Sequence, residues 1–521
     1  MHQRKLIIGS RGSDLALWQA NFVLISLTKL GYETEIKIIE TKGDRIQDVA
    51  LNQISGIGFF TKEIEEALLN SEIDIAVHSN KDLPTVSPIG LKIAAVSNRE
   101  DPSELLIIRK EAVDIQNVLS LKIGARVGTS SPRRRSQLLS FRDDLIIDDL
   151  RGNVPTRVNK LRDKKYDAII LAAAGIYRLN LSLAEFHVEK LSPKMFIPAP
   201  AQGVLALQIR EQDEELTEIL LGVNVKEVES VIKFERTILN KFEGGCHIAL
   251  GAYTVNNSGV YCTWISKSDH EDKVPARIYL EGTDPDIIAE MAIKKLNNIK
   301  PTSVFISREL DDNSYFKKNL SAYHYKVTGK SLITTSQIKI ESIPNNLDWV
   351  FFSSSKAVHH FFNQEINIPV DLKFAAIGQS TAEALNRFKI VASFVGKNNE
   401  MSEVGKEFAE TVKNKRILFP KSKQSLRTIQ RELLDENDVL ELNVYETKHI
   451  EEIEKRDEDI LVFTSPSNVE AYFGKHKLNE AQKVIAIGSS TNEKLNNFNI
   501  FDVVIASVPN EIGLTEAVFG L

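Results

Sequence analysis

Apolar residues in the first 200 positions fall into short runs that alternate with stretches of helical spacing. Lys5–Ser10 reads as a strand, and Ser13–Gly31 as a helix with Leu15, Trp18, Phe22 and Ile25 on one face. Further strands are predicted at Thr34–Thr41, Ile73–Ser79, Leu91–Ser97, Ala125–Thr129, Leu145–Asp149 and Tyr166–Ala172. Helices are predicted between them at Phe60–Leu69, Pro132–Phe141 and Pro155–Arg162. This alternation predicts doubly wound α/β domains, whose ligands sit at the C-terminal ends of the strands. Residues 223–298 differ. A helix over Val228–Phe242, a glycine turn and strands at Ile248–Val255 and Val260–Ser266 read as a small α+β domain, and Asn297–Thr302 is the candidate linker.

The rest of the chain repeats itself. Phe352-Ser353-Ser354-Ser355-Lys356-Ala357-Val358 returns as Phe463-Thr464-Ser465-Pro466-Ser467-Asn468-Val469, an offset of 111. Ala376-Ile377-Gly378-Gln379-Ser380-Thr381 returns as Ala486-Ile487-Gly488-Ser489-Ser490-Thr491, an offset of 110. Two blocks in one order at nearly one offset imply two similar α/β domains, the period being too long for a solenoid. In each block a strand runs into small hydroxyl residues that open a helix, leaving backbone N–H groups to hold an anion.

Composition narrows the function. At 521 residues the chain is long enough for three or four compact units. Sixty-five basic against 71 acidic side chains give −6, which argues against a nucleic acid or an acidic membrane held by bulk charge. No run approaches the ~20 apolar residues that span a bilayer. The opening run Leu6–Ile8 is too short for a signal-peptide core, so a cytoplasmic protein is expected. Two cysteines cannot staple a fold of this size or build a four-thiolate metal site, and no metal is expected.

Against that acidic background, cations gather at three strand-to-helix junctions. These are Gly9-Ser10-Arg11-Gly12-Ser13, Gly128-Thr129-Ser130-Ser131-Pro132-Arg133-Arg134-Arg135 and Leu150-Arg151-Gly152-Asn153-Val154-Pro155-Thr156-Arg157. Helix N-termini and guanidinium forks both donate to planar anions, so carboxylates or phosphates are the expected ligands. One such junction is an ordinary solvated helix start; three in one region point to an anion site. Lys122–Arg162 holds eight arginines but one aromatic residue, Phe141, so the stacking platforms of a single-strand nucleic-acid binder are missing.

A fourth junction, Val77-His78-Ser79-Asn80-Lys81-Asp82-Leu83-Pro84, ends a strand at the ligand side of the sheet. Among arginines, Asp82 could stabilise positive charge on a substrate or carry a proton, whereas alone it would be a surface partner of Lys81. His78 reads as a structural hydrogen-bonder. In Phe242-Glu243-Gly244-Gly245-Cys246-His247, two glycines put Cys246 on a tight exposed turn, which suits a nucleophile or an attachment point. Cys262, in an alternating strand, reads as packing, and no further ligand stands at metal spacing from Cys246 and His247.

Six motifs, in order, resemble hydroxymethylbilane synthase, also called porphobilinogen deaminase: Arg11–Gln19, His78–Asp82, Gly128–Arg134, Leu150–Asn153, Pro200-Ala201-Gln202-Gly203 and Gly244-Gly245-Cys246. The resemblance covers residues 1 to about 298. It implies two periplasmic-binding-protein-like α/β domains (1–97 with a return segment 198–222, and 98–197) and a third domain (223–298) that presents a dipyrromethane cofactor through a thioether on Cys246. It further implies that Asp82 and Lys81 are catalytic, that Ser13, Lys81, Asp82, Ser131, Arg133 and Arg134 hold the cofactor, and that Arg11, Ser13, Arg151, Arg157 and Gln202 bind substrate. The porphobilinogen units carry acetate and propionate arms, which accounts for the arginines. Asn80, Pro132 and Ala249 stand where the family more often has Met, Leu and Pro; none of these changes removes a charged or nucleophilic group.

Residues 301–521 are similar to uroporphyrinogen-III synthase through the repeated Ser/Thr blocks, Leu418-Phe419-Pro420-Lys421, Val444-Tyr445-Glu446-Thr447 and Val508-Pro509-Asn510. This implies a two-lobed α/β module (301–336 with 449–521, and 337–448) that cyclises hydroxymethylbilane without cofactor or metal. Tyr445 would assist departure of the hydroxyl, Ser354, Thr381, Ser465, Ser490 and Thr491 would hold carboxylates, and Lys421 would be a charge partner. The expected protein is a monomeric bifunctional enzyme acting on porphobilinogen and hydroxymethylbilane, with neither nucleic acid nor membrane as partner. Its rivals are an active synthase with a degenerate C-terminal interaction domain and a non-catalytic anion-binding protein that would not need Cys246.

Overall fold

A computed structural model describes residues 5–41, 61–242, 248–364, 366–369, 371–397, 401–423, 425 and 427–521. By its contacts the chain divides into two compact units, Met1–Lys300 with Phe519–Leu521, and Pro301–Val518. Among the described residues no helix is long and apolar enough to cross a membrane.

Among the described residues the first unit contains three sheets. One is ordered β2-β1-β3-β10-β4, from Thr34–Ile38, Leu6–Ser10, Ile75–Ser79, Leu205–Arg210 and Leu91–Val96. β1 pairs in parallel with β2 and β3, while β10 runs antiparallel between β3 and β4. The next is ordered β7-β6-β8-β5-β9, from Ile146–Asp148, Arg126–Gly128, Ala168–Ala172, Glu104–Arg109 and Phe186–Leu191, again with one antiparallel strand, β5, inside it. The sheets are therefore mixed rather than purely parallel. β5 and β10 are buried on both faces and read as continuous apolar runs, so period-2 alternation does not mark them.

Helices begin where the sequence supplies caps. Ser13, Ser131 and Asn153 each accept a hydrogen bond from a backbone N–H in the first turn of the helices Asp14–Lys29, Pro132–Phe141 and Val154–Arg162. Pro132 and Pro155 sit in first turns, where a missing N–H costs nothing.

The third sheet is the antiparallel meander β11-β12-β13 (Ala249–Asn257, Val260–Ser268, Ala276–Gly282), flanked by helices Lys226–Lys241 and Pro285–Asn297. Its junction with the two crossing segments is polar and buried. Glu235, fully buried, takes both forks of Arg99 at 2.7 and 3.1 Å. It also accepts the N–H groups of Ala201 at 2.6 Å and Thr254 at 2.8 Å. One carboxylate thus ties the outgoing segment, the returning segment and the meander together. Beside it Gly203 has φ +91°, and a Cβ there would stand 2.3 Å from the Glu100 carbonyl oxygen, so only glycine lets the two segments touch.

The second unit carries two sheets. β15-β14-β22-β23-β24 (Lys326–Gly329, Ser303–Ile306, Ile460–Phe463, Lys483–Ala486, Val503–Ile505) is wholly parallel. The other is ordered β16-β21-β20-β17-β18-β19 (Ile333–Gln337, Asp438–His449, Arg416–Ser422, Trp349–Phe352, Lys373–Ala376, Phe394–Val395) and adds one antiparallel edge strand, β16. The sequence repeat is a structural repeat. β17 and β22 each run into a serine cap, Ser354 or Ser465, and then a helix; β18 and β23 each run into a glycine, Gly378 or Gly488, and then a helix.

Because Glu235 is a buried charge shared by four donors, losing its charge leaves Arg99 uncompensated. Glu235→Gln should lower the stability of the first unit by about 3–5 kcal/mol, read as a fall in its urea midpoint, against less than ~0.5 kcal/mol for the exposed Glu227→Gln.

Candidate active site

β3 ends at Ser79, and one 3₁₀ turn, Asn80–Asp82, follows. Asp82 is exposed and Lys81 half-buried, with Lys81 Nζ 3.4 Å from Gln202 Oε1. The Gln202 amide is anchored in turn, donating to the Pro102 carbonyl at 2.8 Å. His78 is buried, 3.1 Å from Gln208 Oε1, and Gln208 donates to Glu65 at 3.2 Å. Burial pushes the His78 pKa down to about 4 against the pull of the Gln208 hydrogen bond, and the charge of Arg11 adds to the fall. His78 is a neutral structural group at physiological pH.

The second sheet supplies a buried ion triad. Glu104, at the start of β5, receives Arg133 at 2.6 Å and both Nε and Nη2 of Arg134 at 3.1 and 2.7 Å. Arg133 also donates to the Ile197 carbonyl and Arg134 to the Ile170 carbonyl. Burial alone would raise the Glu104 pKa, but the attraction of Arg134 and Arg133 overrides it and holds the carboxyl at about 2. These two arginines were expected to face a ligand; here much of each fork is committed to Glu104. Composition and spacing did not single out Glu104. Its only signal was an acidic residue heading the apolar run Leu105–Ile108.

The third junction folds onto the second through Ser130, which bridges to Leu150 by accepting its N–H at 3.0 Å and donating to its carbonyl at 3.1 Å. Gly152 (φ +109°) makes the turn, and Arg157 Nε donates back to its carbonyl at 2.7 Å. Burial lowers the Arg157 pKa to about 10, helped by the charges of Arg134 and Arg151 and opposed by Asp82. Lys81 is lowered for the same reason, burial first, with Asp82 and Glu104 opposing and Arg134 and Arg133 assisting. Lys81, Asp82, Glu104, Arg133, Arg134 and Arg157 therefore share one electrostatic neighbourhood in which cations outnumber carboxylates two to one. Arg11 reaches the same region through His78, and Arg151 through Arg157. Ser13 and Ser131 spend an oxygen lone pair on capping, at 3.4 and 3.5 Å. Cys246 lies outside the described residues.

In the second unit Tyr445 is buried on β21 and lines a small pocket of about 100 Å³ with Ser354, Ser422, Ser425 and Thr428. Burial raises its pKa, and hydrogen bonds with Ser354 and Ser422 oppose the rise. His360 stacks on the ring at 4.9 Å between centroids and 18° between planes. The hydroxyl residues divide. Ser354 and Ser465 cap their helices, and Ser490 is exposed. Thr381 and Thr491 are 2% and 1% exposed. Lys421 is buried and paired with Glu441 at 2.9 Å, which holds Arg427 as well.

Two mixed α/β sheets with a cation-rich neighbourhood between named side chains, followed in the chain by a unit of two further α/β sheets, define a multidomain α/β protein. Residues 6–218 match the family model of porphobilinogen deaminase, dipyromethane cofactor binding domain, and residues 317–516 match that of uroporphyrinogen-III synthase HemD. Among curated proteins, the chain is 42% identical over 295 residues to porphobilinogen deaminase of Oceanobacillus iheyensis, covering 56% of this chain and 94% of that protein. It is 41% identical over 304 residues to that of Clostridium novyi, covering 56% and 100%. Among solved structures, uroporphyrinogen-III synthetase from Helicobacter pylori aligns over 41% of this chain and 97% of its own, at 22% identity and a TM-score of 0.33. The chain belongs to the porphobilinogen deaminase family and carries a uroporphyrinogen-III synthase domain behind it, which makes it a bifunctional enzyme of tetrapyrrole biosynthesis, transferase and lyase in one polypeptide. The first of its matched domains is the one that binds the dipyrromethane cofactor.

The His78 shift sets an acid limit on stability. The group is neutral in both states above its unfolded pKa of about 6.5. As pH falls from there to about 4 the unfolded chain takes up a proton that the folded one refuses, so stability is lost over that window. The loss approaches about 3 kcal/mol, and His78→Gln should remove it, flattening the urea-unfolding free energy of the first unit between pH 6.5 and 4.

Proposed function

We propose that the site around Asp82 condenses four porphobilinogens into hydroxymethylbilane, releasing four ammonia molecules and taking up one water that becomes the terminal hydroxyl, and that the pocket around Tyr445 cyclises that product to uroporphyrinogen III with loss of water. The observation that carries the first half is the excess of cations, the buried Arg133 and Arg134 and the half-buried Lys81 and Arg157, over the carboxylates Glu104 and Asp82. Such a donor set fits a cofactor and substrates that bear acetate and propionate arms. When bound, the dipyrromethane supplies the primer from which the pyrrole chain is extended.

In this reading the returning segment 198–222 completes a first domain of residues 1–97, residues 98–197 form a second, and residues 223–298 a third that presents Cys246. Cys246 holds the cofactor by thioether. Arg11, Arg151, Arg157 and Lys81, with Ser13, Ser131 and Gln202, receive carboxylates of cofactor and substrate. Arg133 and Arg134, pinned by Glu104, contribute fixed positive charge behind them. Asp82, exposed at the end of β3, stabilises the positive charge that develops on the substrate as its C–N bond breaks and ammonia departs, and then assists loss of the ring α-proton once the new C–C bond has formed.

In the second unit, burial keeps the Tyr445 hydroxyl protonated, so it can donate to the leaving hydroxyl of hydroxymethylbilane as water departs. Ser354, Ser465 and Ser490 hold carboxylates at helix starts, with exposed backbone N–H groups beside them. The last pyrrole inverts before ring closure.

The test is to supply the full chain with porphobilinogen alone, oxidise the products and separate the uroporphyrin isomers. Isomer III should predominate. Asp82→Asn should lower porphobilinogen turnover by about 100-fold or more, and Tyr445→Phe should leave that turnover intact while shifting the product toward isomer I. Isomer I from the unaltered chain would reduce the second unit to an interaction domain.

A further inference from the structure

The turn that carries Lys81 and Asp82 is not held by packing alone. Behind it lies a cavity of about 290 Å³ lined by Asn80, Thr85, Lys233, Arg236, Thr237 and Asn240. On that side the turn faces an open pocket, so hydrogen bonds add to the packing of Asn80 and Leu83 in fixing its position. The Asn80 N–H donates to the Val204 carbonyl at 2.9 Å and Lys81 to Gln202 at 3.4 Å; three further bonds come from one side chain. Arg236, on the helix Lys226–Lys241, donates through Nη1 to the Asn80 backbone carbonyl at 3.0 Å and to Asn80 Oδ1 at 3.0 Å. Through Nη2 it donates to the Pro84 carbonyl. Both ends of the Asn80–Pro84 segment, with Asp82 between them, are gripped by a single guanidinium.

The grip is anchored at its far end. Glu235, the preceding residue on the same helix, is the buried carboxylate that binds Arg99, Ala201 and Thr254, so the helix cannot shift without breaking that cluster. The same helix ends at Lys241, five positions before Cys246. One helix therefore runs from the crossing segments past the turn bearing Asp82.

The Asn80 side chain adds to this grip. The amide oxygen gives Arg236 a third acceptor, yet its Nδ2 is buried without a hydrogen-bond partner. An unpaired buried donor costs stability, so the amide is a net burden on the fold unless its oxygen serves the turn. A thioether could not accept this bond with comparable strength.

We propose that Arg236 is a positioning residue for the Asp82 turn and that the Asn80 side chain is its partner, trading stability for a defined carboxylate position. This role rests on the assignment of Asp82 as the acting carboxylate. Held within a few tenths of an ångström, Asp82 meets the developing charge on the substrate; released, it remains near the site but is aimed poorly.

The test compares the full chain with Arg236→Lys, Asn80→Met, the double variant and Asp82→Asn. It measures ammonia release from porphobilinogen, the mass of bound cofactor and thermal melting. Arg236→Lys should lower kcat by about tenfold with KM within about twofold of the unaltered value, because a single ammonium cannot grip three acceptors. Asn80→Met should lower kcat by about threefold to fivefold while melting at the same or a higher temperature, since it removes the unpaired donor. The double variant should fall no further than Arg236→Lys alone, as both changes act on one contact. A fall in kcat that merely follows loss of folded or cofactor-loaded protein would overturn the proposal, as would unchanged kcat in both single variants while Asp82→Asn is inactive. Full activity of Asp82→Asn would instead remove the assignment beneath it.

Discussion

The cleft depends on a buried carboxylate meeting two arginines. A protein of net charge −6 must gather cations in one place, and bare guanidinium groups packed side by side repel one another as they lose water. Glu104 resolves this by sitting between Arg133 and Arg134, fully buried, with three hydrogen bonds to them. The triad keeps one net positive charge at a fixed place and leaves Lys81 and Arg157 to carry the rest. The acid strength of Glu104, pKa about 2, measures how strongly the arginines hold it.

A second buried carboxylate, Glu235, does for the segments what Glu104 does for the charges. It closes on Arg99, Ala201 and Thr254, elements separated by more than 150 positions at the extremes, and sets the helix from which Arg236 reaches the Asp82 turn. Mechanics and chemistry thus share one helix. In the second unit, a strand, a small-residue cap and a helix are used twice in each lobe, and Tyr445 stands on β21, beside the edge strand β16 that the other lobe lacks among the described residues.

Much of this was legible because it is local. Ser13, Ser131 and Asn153 announce helix starts, Pro132 and Pro155 fix first turns, and the repeat of Phe352–Val358 at Phe463–Val469 is visible without a structure. What escaped is non-local. Glu104 and Glu235 are acidic residues in otherwise ordinary elements, and their meaning lies in arginines that arrive from other strands. β5 and β10 were hidden by burial on both faces, which erases alternation. The burial of Thr381 and Thr491 was not legible because a motif gives composition but not the direction a helix position faces, nor was the pairing of Lys421, whose partner Glu441 is on the neighbouring strand. Cys246, the clearest chemical signal in the sequence, lies outside the described residues.

The most direct test of this account is Glu104→Gln in the full chain, supplied in separate assays with porphobilinogen and with hydroxymethylbilane. If the triad organises the cationic cleft, removing its charge leaves two buried arginines without a counter-ion, at a cost of about 3–5 kcal/mol. Porphobilinogen turnover should then fall by about 100-fold or more, while cyclisation of supplied hydroxymethylbilane continues at the unaltered rate. Porphobilinogen turnover at the unaltered rate would contradict the account.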